Sequence, residues 1–243
     1  MKNYCLGSIL LVFLCLACSG EEFDPESLLT KLRVLAVKFE PPEILEGQES
    51  QMTMLVYAPE SINYSVSYQL DPENRLGDSI KGSFVEGETQ GAGVYTAPAA
   101  VASASGHLLM FEVAVQSDQA PIKARKRISI WSADRVAEEA LNKNPIFSSI
   151  VFPQGQVASP VEIKKGKGAE ASGLEVEAHV EGVDQDQDDL IFRWYSDHGR
   201  FKNFASRKTE WICDGAKEST RLIVVVRDLK GGVDWGESTV SCI

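Results

Sequence analysis

The residues with the clearest chemical potential are four closely spaced aspartates, Asp184, Asp186, Asp188 and Asp189. Hard carboxylate oxygens at alternating positions can converge on Ca²⁺, which takes six to eight oxygen ligands. The stretch lacks the glycine and the downstream glutamate of an EF-hand loop. Asp228 or the Asn142-Lys143-Asn144 stretch would have to complete the shell. The alternative is a solvated turn in which aspartate accepts hydrogen bonds from its own backbone. His107, His179 and His198 form no set with zinc-ligand spacing. No Gly-x-Ser-x-Gly elbow and no placeable Ser/His/Asp set occurs, and Gly166-Lys167-Gly168 lacks the spacing of a P-loop. The expectation is therefore a protein that is not an enzyme, with no cofactor beyond candidate Ca²⁺. Lys123, Arg125 and Arg127 alternate along one stretch and would share a strand face. Such a face either meets an acidic partner or glycan, or simply faces solvent.

The cysteines carry a second kind of chemistry. Lys2 supplies a positive charge, Leu6 to Ala17 is almost wholly apolar, and Cys18 follows the small Ala17. The apolar run is too short for a bilayer span, which needs ~20 helical residues. A charged start, a short apolar middle and a small residue before the break match a secretory signal. The segment resembles a bacterial lipoprotein signal, whose Leu-Ala/Ser-Gly/Ala-Cys lipobox directs acylation and cleavage before the cysteine. Ala17 and Cys18 match it; Cys15 and Leu16 depart from it. The resemblance implies a signal peptide over 1–17, Cys18 as the lipid attachment point (a palmitate-type acyl chain), and a membrane anchor. Ser19 rather than Asp follows the cysteine, which implies the outer membrane under the enterobacterial sorting rule, with the face left open. Cys5 and Cys15 would leave with the signal, so Cys213 and Cys242 remain. An even pair in an exported chain reads as a disulfide, with two unrelated thiols as the alternative.

Composition bounds the partners. The formal charge of −11 argues against nucleic acid and against binding anionic lipid by charge. After residues 1–17, roughly 225 residues remain, enough for one large domain or two ordinary ones.

The elements that would position these groups are strands. Arg33–Phe39, Met52–Tyr57, Tyr64–Tyr68, Leu108–Val115 and Ile122–Ile130 are short runs rich in Val, Ile, Tyr and Phe, broken by Gly, Pro, Asn and Asp. Ile146–Phe152, Leu174–Glu181, Leu190–Tyr195, Leu222–Val226 and Val233–Val240 repeat the scheme. Leu174–Glu181 alternates apolar and polar, as a half-buried strand requires. An internal repeat links the halves: Gly82-Ser83-Phe84 answers to Gly199-Arg200-Phe201, Tyr95 to Trp211, and Phe111–Val115 to Ile223–Val226. Between them, Asp134–Leu141 suits a short helical turn with Asp134 as its cap, stopped before Pro145. Trp194, Trp211 and Tyr95 read as core aromatics, with a sugar-stacking platform as the alternative.

Gly93–Ala99 resembles the G-x-Y-T-A-P stretch of bacterial immunoglobulin-like domains. Asp184–Trp194, Gly199 and Val226–Gly232 resemble PKD or cadherin-like domains, with Gln187 and Leu229 in place of turn glycines. The resemblance implies an all-β chain of two tandem immunoglobulin-like β-sandwiches after the signal peptide. The expected division is a tether over 18–30, a first sandwich over 31–132, a linker over 133–145 and a PKD/cadherin-like sandwich over 146–243. The expected role is a non-enzymatic, lipid-anchored envelope protein serving as a structural, adhesion or assembly module. The alternative is a carbohydrate-binding accessory lipoprotein. Its partners would be the membrane through the lipid, and an envelope protein or a glycan.

Overall fold

The computed structural model describes residues 26–59, 62–70, 81–101, 107–116, 121–152, 161–163, 173–181, 189–213 and 217–242. The chain is all-β and folds as two immunoglobulin-like sandwiches. The first contains β1 (Arg33–Glu40), β2 (Glu43–Leu45), β3 (Glu49–Tyr57), β4 (Ser65–Leu70), β5 (Ser83–Glu86), β6 (Ala92–Thr96), β7 (His107–Gln116) and β8 (Ile122–Trp131). Its sheets run β1-β3-β6-β5 and β2-β8-β7-β4. The second contains β9 (Phe147–Val151), β10 (Val161–Ile163), β11 (Gly173–Val180), β12 (Ile191–Ser196), β13 (Arg200–Phe201), β14 (Lys208–Ile212), β15 (Lys217–Arg227) and β16 (Val233–Cys242). Its sheets run β9-β11-β14-β13 and β10-β16-β15-β12, the same order. In each unit a three-residue strand crosses to the second sheet and pairs in parallel with the last strand, β2 with β8 and β10 with β16. Two packed sheets in this order are the immunoglobulin arrangement.

Alternation explains the inner faces. Along β11 the even residues Leu174, Val176, Ala178 and Val180 are buried and the intervening residues are not. They close on Trp194, Trp211, Leu222, Val224 and Val226 to form the second core. Val37, Phe39, Ile44, Met52, Tyr95, Val113, Ile128 and Ile130 form the first. Burying such side chains contributes ~1.5–3 kcal/mol each before entropy is charged. Trp194, Trp211 and Tyr95 are fully buried, so none offers a ring to a sugar.

The internal repeat is a shared hairpin device. Phe84 faces Tyr95 across β5 and β6, and Phe201 faces Trp211 across β13 and β14. Gly82 and Gly199 precede those hairpins with φ of +71° and +69°. The Tyr95 hydroxyl donates to the Lys81 carbonyl at 2.8 Å, and Trp211 Nε1 donates to the His198 carbonyl at 3.0 Å. In both units a buried aromatic thus satisfies the carbonyl just before a left-handed glycine. A Cβ on Gly199 would stand 2.4 Å from the Ile212 carbonyl oxygen and 2.8 Å from the Trp211 ring.

The segment between the units is less helical than its sequence suggests. It holds one 3₁₀ turn, Glu138–Ala140. Asp134 accepts a hydrogen bond from the Ser132 hydroxyl instead of capping a helix, and Ala137 is extended with no side-chain cap. So short a run cannot offset the cost of helix nucleation. Residues 26–30 also take a defined place. Ser196 N donates to the Ser27 carbonyl at 2.9 Å, and Leu29 N donates to the Ser196 carbonyl at 2.7 Å. The segment therefore lies along β12, in the second unit, before the chain enters the first.

Gly199→Ala should lower the unfolding free energy of the full chain by about 2–3 kcal/mol, through a left-handed φ plus the clash with Trp211. Gly47→Ala, at φ +74° with open space around it, should cost only about 1 kcal/mol. Urea unfolding of both variants checks this; equal losses would remove the ring contact from the account.

Candidate functional site

Charged and polar side chains converge where the two sandwiches meet. The outer faces of β1 and β3 bring Leu35, Ala36, Leu55 and Tyr57 against Ile223, Val225 and Val233 from β15 and β16, with Leu29 added from the preceding segment. These strands are apolar on both faces, because their alternate residues fill the two sandwich cores. A bulge in β1 helps. The register shifts between Val34 and Ala36, which leaves the Leu35 carbonyl outside the ladder, and Arg227 Nη2 donates to it at 2.6 Å. Arg33 lies over the Tyr195 ring at 5.7 Å and Arg221 over the Tyr57 ring at 5.9 Å. Cation–π contacts of this kind rim the apolar patch.

The polar half of the junction is built from linker residues. Asn144 Nδ2 donates to the Phe39 carbonyl at 2.7 Å and to Glu40 Oε2 at 2.8 Å, while its Oδ1 accepts from Val233 N at 2.8 Å. Asn142 N donates to Glu43 Oε2 at 3.0 Å, and Asn142 Nδ2 donates to Asp228 Oδ2 at 3.0 Å. Asp228 Oδ1 accepts from Lys230, Gly231 and Gly232 N–H at 2.8, 2.6 and 2.8 Å. Gly232 is required there, since a Cβ would meet Asp228 Oδ2 at 2.1 Å. Both asparagines and Asp228 are buried, which makes each satisfied donor count. Asp228 and the two asparagines are therefore engaged in joining the units.

Two lysines of the first unit reach the second. Lys38 Nζ lies 3.2 Å from both Asp234 Oδ1 and Glu40 Oε2. Burial opposes its charge, but Asp234 and then Glu40 outweigh it and hold the ammonium above its usual 10.5. Asp234 Oδ2 also accepts from Phe147 N at 2.8 Å. Lys126, on β8, donates to the Gly231 carbonyl. Burial pushes its pKa down to about 8; Asp228 resists the shift and Arg227 adds to it.

Of the four aspartates read as a metal set, only Asp189 lies among the described residues. Asp189 is exposed, and Asp184, Asp186 and Asp188 lie outside the described residues. Among the described residues no group of three or more His, Cys, Asp and Glu side chains is placed to hold a metal. His179 is exposed beside Glu177 at 3.8 Å. Lys123, Arg125 and Arg127 are exposed on β8 as their alternation requires. Cys213 is buried at the end of β14, and the backbone of Cys242 pairs with Lys217. Cys18 lies outside the described residues. No helix among the described residues is long and apolar enough to cross a membrane.

No family model matches the chain, and no curated protein does. Among solved structures it is similar to the N-terminal Ig1-2 module of the Drosophila receptor protein tyrosine phosphatase DLAR, at 7% identity over 88% of this chain and 99% of that one, TM-score 0.32. It is also similar to the fibronectin(III)-like modules of Clostridium thermocellum CbhA, at 10% identity over 87% and 93%, TM-score 0.30. A third is the adhesin InvE of Yersinia pseudotuberculosis, at 11% identity over 84% of this chain and 58% of that one, TM-score 0.27. Scores this low carry no weight beside the sheet order itself.

The Lys126 shift has a definite sign. The folded protein holds this proton more weakly than the unfolded chain, so unfolding takes up a proton between pH 8 and 10.5. The residue's contribution to stability should therefore rise as pH increases through that window. Relative to Lys126→Met, the unfolding free energy of the unmodified chain should climb between about pH 7 and pH 10. A flat difference in denaturant titrations would mean that Lys126 ionises like an exposed lysine.

Proposed function

We propose that this chain is a non-enzymatic, lipid-anchored protein of the cell envelope, a structural, adhesion or assembly module held to the outer membrane through Cys18. The observation that carries the reading is the use of its polar groups. Asn142, Asn144, Asp228, Asp234 and Lys38 are spent joining two sandwiches. None is left converging on a reactive centre. The aromatic side chains that a glycan platform would need, Tyr95, Trp194 and Trp211, are buried, which favours the assembly role over the carbohydrate-binding one.

The position of the N-terminal segment adds geometry to the anchor. Ser27 follows Cys18 with eight residues between them, a reach of about 30 Å at full extension. Ser27 is seated beside β12, so an acylated Cys18 would hold the second sandwich, and the first packed on it, close to the bilayer. Replacing Cys18 with Ala should move the protein from the membrane to the soluble fraction and abolish incorporation of labelled fatty acid. Membrane retention without label would count against the anchor.

The same exported compartment supports a Cys213–Cys242 bridge. Cys213 is buried just after β14, and the backbone of Cys242 pairs with Lys217, four positions on from Cys213. Reduction should lower the unfolding free energy by about 2–4 kcal/mol. Peptide mapping without reductant should recover the two cysteines in one linked fragment; two separate alkylated peptides would rule the bridge out.

A further inference from the structure

Between β1 and β8, at the open side of the first sandwich, lies a cavity of about 200 Å³. Its lining includes Val34, Leu35, Val37 and Ala124 as apolar wall, with Lys126 and Arg227 as charges. Lys126 comes from the first unit and Arg227 from the second. Each has one hydrogen bond to a carbonyl, Lys126 to Gly231 and Arg227 to Leu35. An ammonium has three donors and a guanidinium five, so both keep donors to spare. Among the described residues neither forms an ion pair with a carboxylate. Asp228 acts on Lys126, but its oxygens are already taken by three backbone N–H groups and the Asn142 amide, so two partly buried like charges beside one cavity remain costly without a further anion. Their presence in a chain of formal charge −11 is not explained by the fold, because the Leu35 and Gly231 carbonyls could be served by neutral donors.

We propose that this cavity binds a short-chain aliphatic monocarboxylate, its carboxylate shared by Lys126 and Arg227 and its alkyl chain against Val34, Val37 and Ala124. Val34, Val37 and Ala124 offer a short hydrocarbon end an apolar wall beside the polar groups of the lining. The guanidinium fork suits a planar carboxylate. Asp228, close enough to act on Lys126, disfavours a second negative charge and so a phosphate. Arg125 also lines the cavity, and Asp228, outside that lining, acts with Arg227 on the charge of Lys126. A free acid and the C-terminus of a peptide share this chemistry, and the experiment separates them.

The full chain in detergent is titrated with butyrate, butyramide, inorganic phosphate and an N-acetylated dipeptide ending in valine. Melting temperature and titration heat are read together. Butyrate should bind saturably, at least about tenfold more tightly than butyramide or phosphate. Its affinity should fall about tenfold between pH 7 and pH 9 as Lys126 loses its proton. Lys126→Met should lose most of the binding. Arg227→Lys, which keeps the charge and removes the fork, should weaken it at temperatures where the variant is still fully folded. Tighter binding of the dipeptide would support the carboxylate site and assign its natural occupant to a chain terminus. Butyrate binding no better than butyramide, phosphate binding as tightly as butyrate, or full binding by Lys126→Met with its melting intact would each overturn the proposal. None of these outcomes bears on the anchor at Cys18, which is tested separately by fractionation.

Discussion

The Asp228 carboxylate accepts three consecutive backbone N–H groups after β15 and a fourth donor from the Asn142 amide. That single side chain fixes the turn between β15 and β16. With the turn fixed, the Gly231 carbonyl points at Lys126 and the Val233 N–H at Asn144. Each of these contacts reaches across to the first sandwich or to the linker. Removing the carboxylate would orphan the buried Gly232 N–H, whose desolvation costs ~1–3 kcal/mol, and would take the acceptor from the part-buried Lys230 and Gly231 N–H groups. It would also release the partners that depend on the turn's shape, so the junction behaves as a network in which the members hold one another in place.

The apolar and polar halves of the junction do different work. The patch formed by Leu35, Leu55, Tyr57, Ile223 and Val225 supplies non-directional attraction. Such a patch alone would tolerate sliding, since apolar contact is set by area and hardly by register. Asn144 removes that freedom, because its amide must meet Phe39, Glu40 and Val233 at once. Lys38 adds a charge that must find both Glu40 and Asp234. The arrangement of tandem sandwiches is thus specified by directional bonds laid over a hydrophobic contact, with the desolvation of the charges as its cost.

Much of each sandwich was legible because its strands alternate. Leu174–Glu181 and Ile122–Ile130 could be read residue by residue, and the observed strands fall within a residue or two. The repeat of glycine, aromatic and valine-rich strand was legible as well, and the structure gives its reason: an aromatic donor must satisfy the carbonyl before a left-handed glycine. The strands β2 and β10 left no signal, being three residues long and paired in parallel, with no room for a period to show. The junction was missed for another reason. Leu222–Val226 is apolar at every position, and a continuous apolar run means burial on both faces. Taken as one more core strand, it gave no hint that its second face needed a partner. Asn142 and Asn144 meet groups some 86 to 105 residues away in sequence, Asp228, Glu43, Phe39, Glu40 and Val233, and contacts between such distant positions have no sequence signature.

The docking of residues 26–30 changes what an N-terminal anchor would mean mechanically. In a chain of beads, force on a tether passes first to the domain that follows it. Here the segment pairs with β12 through Ser27 and Leu29, and Arg33 holds the Glu26 carbonyl at 2.6 Å. Leu29 is buried among residues of both units. A pull on the tether would therefore load the apolar junction and the edge of the second sandwich before it reached the ladder between β1 and β3. Load shared in this way would keep the two sandwiches together as one body. An envelope protein built so would present a fixed arrangement of loops and edges to whatever it meets, and the geometry of that arrangement would be set by the same asparagine and aspartate contacts that close the junction.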